Sequence, residues 1–482
     1  MKTIGDLVKY LTEKEVRGSL AEPVTGVHYD SRQVKAGEVF VCIAGFTCDA
    51  HRFIPDVLSK GVKVLLVEKD VETPPEITVV KVPDTRRALS LVSAAFYDFP
   101  AKKLSLTGVT GTNGKTTVTT LIENILQKSG HSTGLIGTIH NKIGDQLLPV
   151  ERTTPESFEV QKLLHRMTEN GATHAVMEVS SHALDLYRVA DCFYDVAVFT
   201  NLTQDHLDYH KTIENYFEAK ATLFAGAKYS VVNVDDPHGR ILKDRITAPC
   251  LTYGVDNAAD IMASEIEVTL KGLKFKVTTP AGDFPLDLHL TGIFNVYNTL
   301  AAVGAAIALK IPLAKIKSAL EAVAGVDGRF QLVKSSHDFA VVVDYAHTPD
   351  GLENILKTAK MFVQGKIISV FGCGGDRDRT KRPIMGKIGT DYSDYAVLTS
   401  DNPRTEDPLL ILRDVEEGAK KGRCPYEIIA DRKSAICRAI NLAKAGDLVI
   451  IAGKGHETYQ IFKDKTIHFD DREIAEECLR GL

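Results

Sequence analysis

The sequence predicts an α/β protein of three domains: a mixed domain over residues 1–100, a central parallel-sheet domain over 101–328, and a Rossmann-like α/β domain over 329–482. Three observations predict it. The chain has 482 residues, and domains commonly take about 100–200. From Leu104 onward, near-continuous apolar runs alternate with helical patterns, as in a parallel sheet covered on both faces. The later runs each end in a glycine-rich or polar loop, and open parallel sheets bind ligands beyond the carboxyl ends of their strands.

In residues 1–100, Val39–Ile43 and Val62–Val67 are short apolar strand candidates between turns and helical pieces. The central domain opens with LSLTGVT, a glycine-rich turn and a helical pattern from Lys115 to Lys128. Further strands are expected at Ala175–Val179, Val196–Thr200 and Tyr229–Val234, with a helix over Phe294–Lys310. GVDGRF at 325–330 reads as a hinge. In the last domain, strands at Ala340–Val343, Ile367–Phe371, Tyr395–Thr399 and Leu448–Ala452 run into DYAHTPDG, GCGGDRDR, SDNPRTEDP and GKGHE. One polar loop would mean little, since loops are usually polar. Four after parallel strands predict one shared site.

Composition narrows the partners. Hydrophobic residues make up 44% and charged residues 25%, enough for buried cores. A formal net charge of -5 does not recruit nucleic acid or an anionic membrane, so anionic ligands must be held locally. No run approaches ~18 apolar residues, and the start has no basic region followed by an apolar run. A cytoplasmic monomer is expected. The eight cysteines are scattered without a CxxC pair, which predicts thiols in a reducing compartment.

TGVTGTNGKTT (107–117) is the sharpest local signal. A strand, a glycine-rich turn and a helix start make a nest of N–H groups where the helix dipole also favours an anion. Lys115 can reach β/γ-phosphates and the Thr116 hydroxyl can ligate Mg²⁺. The spacing is GxxGKTT rather than GxxxxGK[ST], because Val109 stands where the longer pattern needs glycine. The central domain is thus expected to be a P-loop, mononucleotide-binding domain. Glu178 ends one following strand, and Asp205, His206, Asp208 and His210 follow another. A solvated glutamate is the ordinary reading of a strand end; after a phosphate loop, a metal ligand is the better one. In TIENYFEAKATLF, Lys220 shares a helical face with Ile213, Tyr216, Phe217, Leu223 and Phe224. It either snorkels or is partnered or modified.

Taken together, TGTNGKTT, EVSSHAL, NLTQDHLDYH, FNVYN, DYAHTPD and GKGHE, in this order, resemble the Mur ligase family along essentially the whole chain. HYDSRQVKAGEVFVCIAG resembles the uridine-nucleotide domain of the family's tripeptide-forming members. The resemblance implies an ATP-dependent ligase of peptidoglycan synthesis. It would add meso-diaminopimelate to the D-Glu γ-carboxylate of UDP-N-acetylmuramoyl-L-alanyl-D-glutamate through an acyl phosphate.

The roles carried over follow the motifs. Gly111, Thr112, Asn113, Gly114, Lys115, Thr116 and Thr117 would hold ATP phosphates, with Asn295, Asn298, Arg329 and Asp344 contacting the nucleotide. Thr116, Glu178 and His206 would surround Mg²⁺, and Lys220 matches the family's carbamylated lysine. Ser31, Thr153, Thr154, Ser180 and Arg188 match positions holding the UDP-muramoyl-dipeptide. Asp401, Asn402, Pro403 and Arg404 form DNPR, the pattern of diaminopimelate-adding members; Arg377, Gly453 and Glu457 complete that pocket. The arginine fork matches the distal carboxylate that lysine lacks. A lysine-adding ligase should lack Arg404. A folylpolyglutamate synthetase-like ligase shares the nucleotide motifs but not the uridine-domain or DNPR signals.

Overall fold

Alternation along the first strands decides how the amino-terminal part is layered. Val39, Val41, Val64 and Leu66 bury against helix Thr85–Phe96, while Phe40, Leu65 and Val67 bury against Ile54 and Val57 on the other face, as a period of two requires. The computed structural model describes every residue except Thr47. The chain forms two units: Met1–Thr110 with Gly130–Ala197 and Ala219–Lys228, and Gly111–Ser129 with Val198–Glu218 and Tyr229–Leu482.

The first unit holds a five-stranded sheet in the order Glu15–Arg17, Thr78–Lys81, Val64–Val67, Glu38–Val41, Gly26–His28. All neighbours are parallel except Glu15–Arg17, which runs antiparallel at one edge. It also holds a run ordered Gln146–Leu148, Asn141–Ile143, Thr133–Ile136, His174–Glu178, Ser105–Thr110. The last three are parallel, and the first two form an antiparallel hairpin on the outside.

In the second unit, Tyr229–Asn233, Cys250–Gly254 and Ile261–Thr269 are parallel, and Gly272–Thr279 and Gly282–Leu288 continue the sheet antiparallel. Pro285 lies in the outermost strand; its carbonyl takes Lys317 Nζ at 2.7 Å, and the Asp287 N–H donates to Glu321 at 3.2 Å. The expected parallel strands are present in each unit, and antiparallel strands the sequence did not announce flank them. The apolar strand signal marks only the covered strands, while the flanking hairpins alternate because one face is wet. A six-stranded sheet follows, ordered Gln331–Leu332, Ala340–Asp344, Leu448–Ala452, Ile367–Phe371, Tyr395–Leu398, Tyr426–Ile428. It is parallel but for its first strand.

Most predicted elements lie within a residue or two of their expected bounds. Helix Lys115–Lys128 and strands Ile367–Phe371 and Leu448–Ala452 coincide with them. The Lys220 helix stops earlier than its apolar face implied: Ile213–Ala221 is α-helical, and Thr222–Phe224 tightens into a 3₁₀ turn. The cysteines need a larger correction. Six are thiols, but Cys437 and Cys478 form a disulfide, with Cα atoms 5.3 Å apart on helices Arg432–Leu442 and Asp471–Arg480. The two are 41 residues apart in the chain, and no spacing rule reports such a pairing. No helix is long and apolar enough to cross a membrane, among the described residues.

Candidate active site

The phosphate-type loop leaves strand Ser105–Thr110 and enters helix Lys115–Lys128 through two glycines at positive φ, Gly111 (148°) and Gly114 (90°). Their hydrogens are needed for close approach. A Cβ on Gly111 would lie 1.8 Å from Thr200 Oγ1, and one on Gly114 would lie 2.4 Å from Asn298 Oδ1. The loop is pinned from outside its own motif. Thr112 N donates to Asn201 O at 2.9 Å, Asn113 N to Asn201 Oδ1 at 2.9 Å, and Thr200 Oγ1 to Asn113 O at 2.6 Å. Lys115 folds over the loop, donating to the carbonyls of Gly111 and Thr112 at 2.9 and 2.8 Å.

Several residues expected around a nucleotide gather here. Asn298 Nδ2 donates to Asn295 Oδ1 at 2.9 Å, and Arg329 Nη2 to the Thr116 hydroxyl at 2.9 Å. The Arg329 guanidinium also lies over the Tyr345 ring, 4.5 Å from its centroid. Asp344 is buried; its carboxylate accepts Phe330 N at 2.6 Å and Ala346 N at 2.7 Å. Burial raises its pKa against the opposing charge of Arg329. Asp350, which the sequence reading did not single out, accepts Asn113 Nδ2 at 2.6 Å.

His206 sits at φ 55°, and its Nε2 lies 3.3 Å from Asp205 Oδ2. Asp205 is buried. Desolvation opposes its charge, but His206 and Lys381 hold its pKa below the usual carboxylate range. Lys381 is equally buried, 3.8 Å from Asp205 Oδ1, and donates to the His347 carbonyl at 3.0 Å. Burial, with Lys381 nearby, brings the His347 imidazole down to about 4.

In the first unit, Glu178 stands in register with Val109. Thr138 orients it, giving its N–H to Oε1 at 2.8 Å and its hydroxyl to Oε2 at 2.9 Å. Thr138 also meets Thr153 Oγ1 at 3.0 Å. The Thr154 hydroxyl donates to the Glu178 carbonyl at 2.8 Å and accepts Ser180 N at 3.1 Å; Arg188 Nη1 donates to Thr154 O at 3.1 Å. Thr153, Thr154, Ser180, Arg188 and Glu178 are thus one connected patch. Arg188 also pairs with Glu156 at 2.8 Å, as does Arg152 at 3.0 Å. Ser31 is buried, its carbonyl bonded to Lys60 Nζ at 2.6 Å, and has no contact with that patch in the bonds described. Lys220 is 1% exposed, so its ammonium does not snorkel to solvent.

The four loops of the carboxyl-terminal sheet converge, as parallel strands require. Arg404 Nη1 donates to Gly375 O at 2.7 Å, Asn402 Nδ2 to Glu457 Oε2 at 2.9 Å, and the Tyr345 hydroxyl to Glu457 Oε1 at 3.5 Å. Lys454, fully buried and missed from sequence, bridges Asn402 Oδ1 and Glu457 Oε2 at 3.1 Å each. Burial and the Asp401 charge raise the Glu457 pKa. Arg404 adopts a left-handed φ of 52°, which costs a non-glycine residue energy and clusters at functional sites. Burial and the neighbouring Arg377 lower its pKa. Both guanidiniums donate to backbone carbonyls rather than to carboxylates. A cleft of about 510 Å³ takes in Arg404, lined by Pro403–Pro408 and Phe462–Lys465. Of the predicted amino-acid residues it takes in only Pro403 and Arg404.

Known proteins resemble this chain along almost its whole length. Residues 23–97 match the Mur ligase family catalytic domain, 109–306 the Mur ligase middle domain, and 328–455 the Mur ligase glutamate ligase domain. A Clostridium botulinum protein named UDP-N-acetylmuramoyl-L-alanyl-D-glutamate–2,6-diaminopimelate ligase is 48% identical over 461 residues, 95% of each chain. A Bacillus velezensis protein of the same name is 48% identical over 479 residues, 97% of each. A solved structure of a ligase with that name superposes with a TM-score of 0.71 at 34% identity, covering 100% of this chain and 99% of the other. MurF of Thermotoga maritima, solved with ADP, shares the fold at 18% identity and a TM-score of 0.66 over 95% and 97% of the two chains. The chain belongs to the Mur ligase family.

Proposed function

We propose that this chain joins meso-2,6-diaminopimelate to the D-Glu γ-carboxylate of UDP-N-acetylmuramoyl-L-alanyl-D-glutamate, consuming ATP, in cytoplasmic peptidoglycan synthesis. The observation that carries the reading is Arg404 beside Arg377 at the converging strand ends, their side-chain hydrogen bonds among the described residues going to main-chain carbonyls. Arg377 repels the half-buried Arg404, Asp401, Glu457 and Asp376 offset that only in part, and Arg404 keeps a lowered pKa, so a further anion is welcome beside it. The distal carboxylate of diaminopimelate is such an anion; the distal ammonium of lysine would add to the repulsion.

Three functional regions divide the work: residues 1–100 for the uridine nucleotide, 101–328 for ATP, and 329–482 for the incoming amino acid. Ser31, Thr153, Thr154, Ser180 and Arg188 bind the UDP-muramoyl-dipeptide. Gly111–Thr117, Asn295, Asn298, Arg329 and Asp344 bind ATP. Arg377, Asp401–Arg404, Gly453 and Glu457 bind diaminopimelate. The γ-carboxylate attacks the terminal phosphate of ATP, giving an acyl phosphate and ADP. The amine then displaces phosphate. Such chemistry is mostly positioning and charge neutralisation. Lys115 supplies one cation for it, and Arg329 another.

Thr116, Glu178, His206 and a carbamylated Lys220 would hold Mg²⁺. Among the described residues, no three His, Cys, Asp or Glu side chains gather into a metal-holding group. Mg²⁺ does not need one, since it takes one or two carboxylates plus substrate phosphates and waters. Glu178, oriented by two Thr138 hydrogen bonds, is a carboxylate of the kind Mg²⁺ takes. The ion, when bound, neutralises charge on the phosphate oxygens.

The deciding experiment gives the chain ATP and the UDP-dipeptide, with either meso-diaminopimelate or L-lysine, and follows ADP release. Release should require both dipeptide and amino acid and should favour diaminopimelate strongly. Preference for lysine overturns the substrate assignment, and release without an amino acid overturns the ligase assignment.

A further inference from the structure

Behind the converging loops, a single guanidinium grips the main chain where two of them begin. Arg432 is the first residue of helix Arg432–Leu442, and it is paired with Asp471, the first residue of helix Asp471–Arg480. Both side chains are 0% exposed. The pair is bidentate: Nε to Asp471 Oδ1 at 2.7 Å and Nη2 to Oδ2 at 2.6 Å. The remaining donors reach main-chain carbonyls, Nη2 to Ala452 O at 3.0 Å and Nη1 to Ser400 O at 3.3 Å. Ala452 ends strand Leu448–Ala452 and precedes Gly453. Ser400 precedes Asp401. One side chain therefore spans the roots of the 401–404 and 453–457 loops.

The same point is crowded. A Cβ on Gly453 would lie 2.5 Å from Asp401 Oδ2 and 3.8 Å from Arg432 Nη2. The Arg432 charge, after that of Lys454, helps keep the buried Asp401 ionised. A buried ion pair is a poor device for mere stability, because apolar side chains of similar volume hold helices together as well or better. What they cannot do is fix two carbonyls at a set separation and place a positive charge behind Asp401.

The geometry points to Arg432, held by Asp471, as a positioning residue for the incoming amino acid: it sets the spacing of the Asp401–Arg404 and Gly453–Glu457 loops. This rests on the reading that those loops bind diaminopimelate. Arg432 touches the loop roots, at Ser400 O and Ala452 O, and so acts through packing.

The test varies each substrate in turn for the full chain and for Arg432→Gln, Arg432→Lys, Asp471→Asn and the Arg432→Gln/Asp471→Asn double variant. Arg432→Gln should raise the KM for diaminopimelate at least tenfold and leave those for ATP and the UDP-dipeptide within twofold. Arg432→Lys, which keeps the charge but cannot span both carbonyls, should fall between it and the parent chain. Asp471→Asn should move the same constant in the same direction. If Arg432→Gln does not fold, Asp471→Asn and the double variant decide by the same criterion. Equal rises in all three KM values, or a fall in kcat alone, would reduce the pair to a structural element. Parent chain that turns over with diaminopimelate beside unmoved variants refutes only this role. Parent chain without diaminopimelate-dependent turnover refutes the functional reading itself.

Discussion

The Arg329 guanidinium donates to the Thr116 hydroxyl across 213 positions of sequence, at 2.9 Å. This joins the first turn of the phosphate-loop helix to the hinge before the carboxyl-terminal sheet. A charge-assisted hydrogen bond of this kind is worth about 1.5–3 kcal/mol. Arg329→Ala should therefore raise the KM for ATP by roughly 10- to 100-fold. The UDP-dipeptide constant should stay near its original value. Steady-state kinetics with each substrate varied checks this, and a uniform loss would contradict it.

Arg404→Ala should weaken diaminopimelate far more than ATP. Arg404→Lys should not restore it, because an ammonium cannot reproduce the planar two-point contact. Competition between diaminopimelate and lysine measures the effect as a specificity ratio, which should collapse toward unity. An unchanged ratio would remove Arg404 from substrate discrimination.

Lys220 is buried on a helical face shared with Tyr216 and Phe217. If it carries a carbamate, Lys220→Ala should nearly abolish turnover, and a small added carboxylate should restore part of it. Mass spectrometry of the intact chain under bicarbonate should show an added 44 Da that acid removes. Full activity in the alanine variant would make the lysine structural.

Glu159 gives a pH-dependent stability. Burial raises its pKa from 4.5 to about 7, opposed by hydrogen bonding that includes the Tyr29 hydroxyl at 3.2 Å. The folded state binds this proton more tightly than the unfolded chain. The contribution is thus complete below pH 4.5 and is lost as pH rises through about 7. At most it amounts to about 3 kcal/mol. Chemical denaturation between pH 4.5 and 7.5 should show stability falling, and Glu159→Gln should flatten that slope. An unaltered slope would place the titration elsewhere.

Cys437 and Cys478 join the helices that also carry Arg432 and Asp471. Thiol counting in denaturant should give six without reductant and eight with it. Cys478→Ser should lower stability by about 2–4 kcal/mol in oxidising buffer and much less in reductant. Eight thiols without reductant would show the pair to be open.

The strands and the phosphate loop were legible because their signals are local: apolar runs, glycines and the Lys-Thr-Thr that follows. The bonds that hold the site were not. Asn113 to Asp350, Lys381 to Asp205 and Arg432 to Asp471 join residues 237, 176 and 39 positions apart, and no window of sequence contains both ends. Lys454 could have been suspected, since a lysine between two glycines at a strand end has few other uses. Glu178 and Arg404 were singled out through motif context; alone, each is an ordinary loop-side charge. The antiparallel hairpins at the sheet margins escaped because half-wet strands dilute the apolar signal.

The outer strand Gly282–Leu288 has a consequence for the molecule at cellular concentration. Exposed margins of sheets are templates for neighbouring polypeptides. Here Pro285 has no N–H to offer, its oxygen is occupied by Lys317, and the Asp287 N–H is taken by Glu321. A stray segment would have to displace both side chains of helix Leu313–Glu321 before it could dock. That stretch of the flank is therefore a poorer foothold for fibre-like stacking between crowded copies.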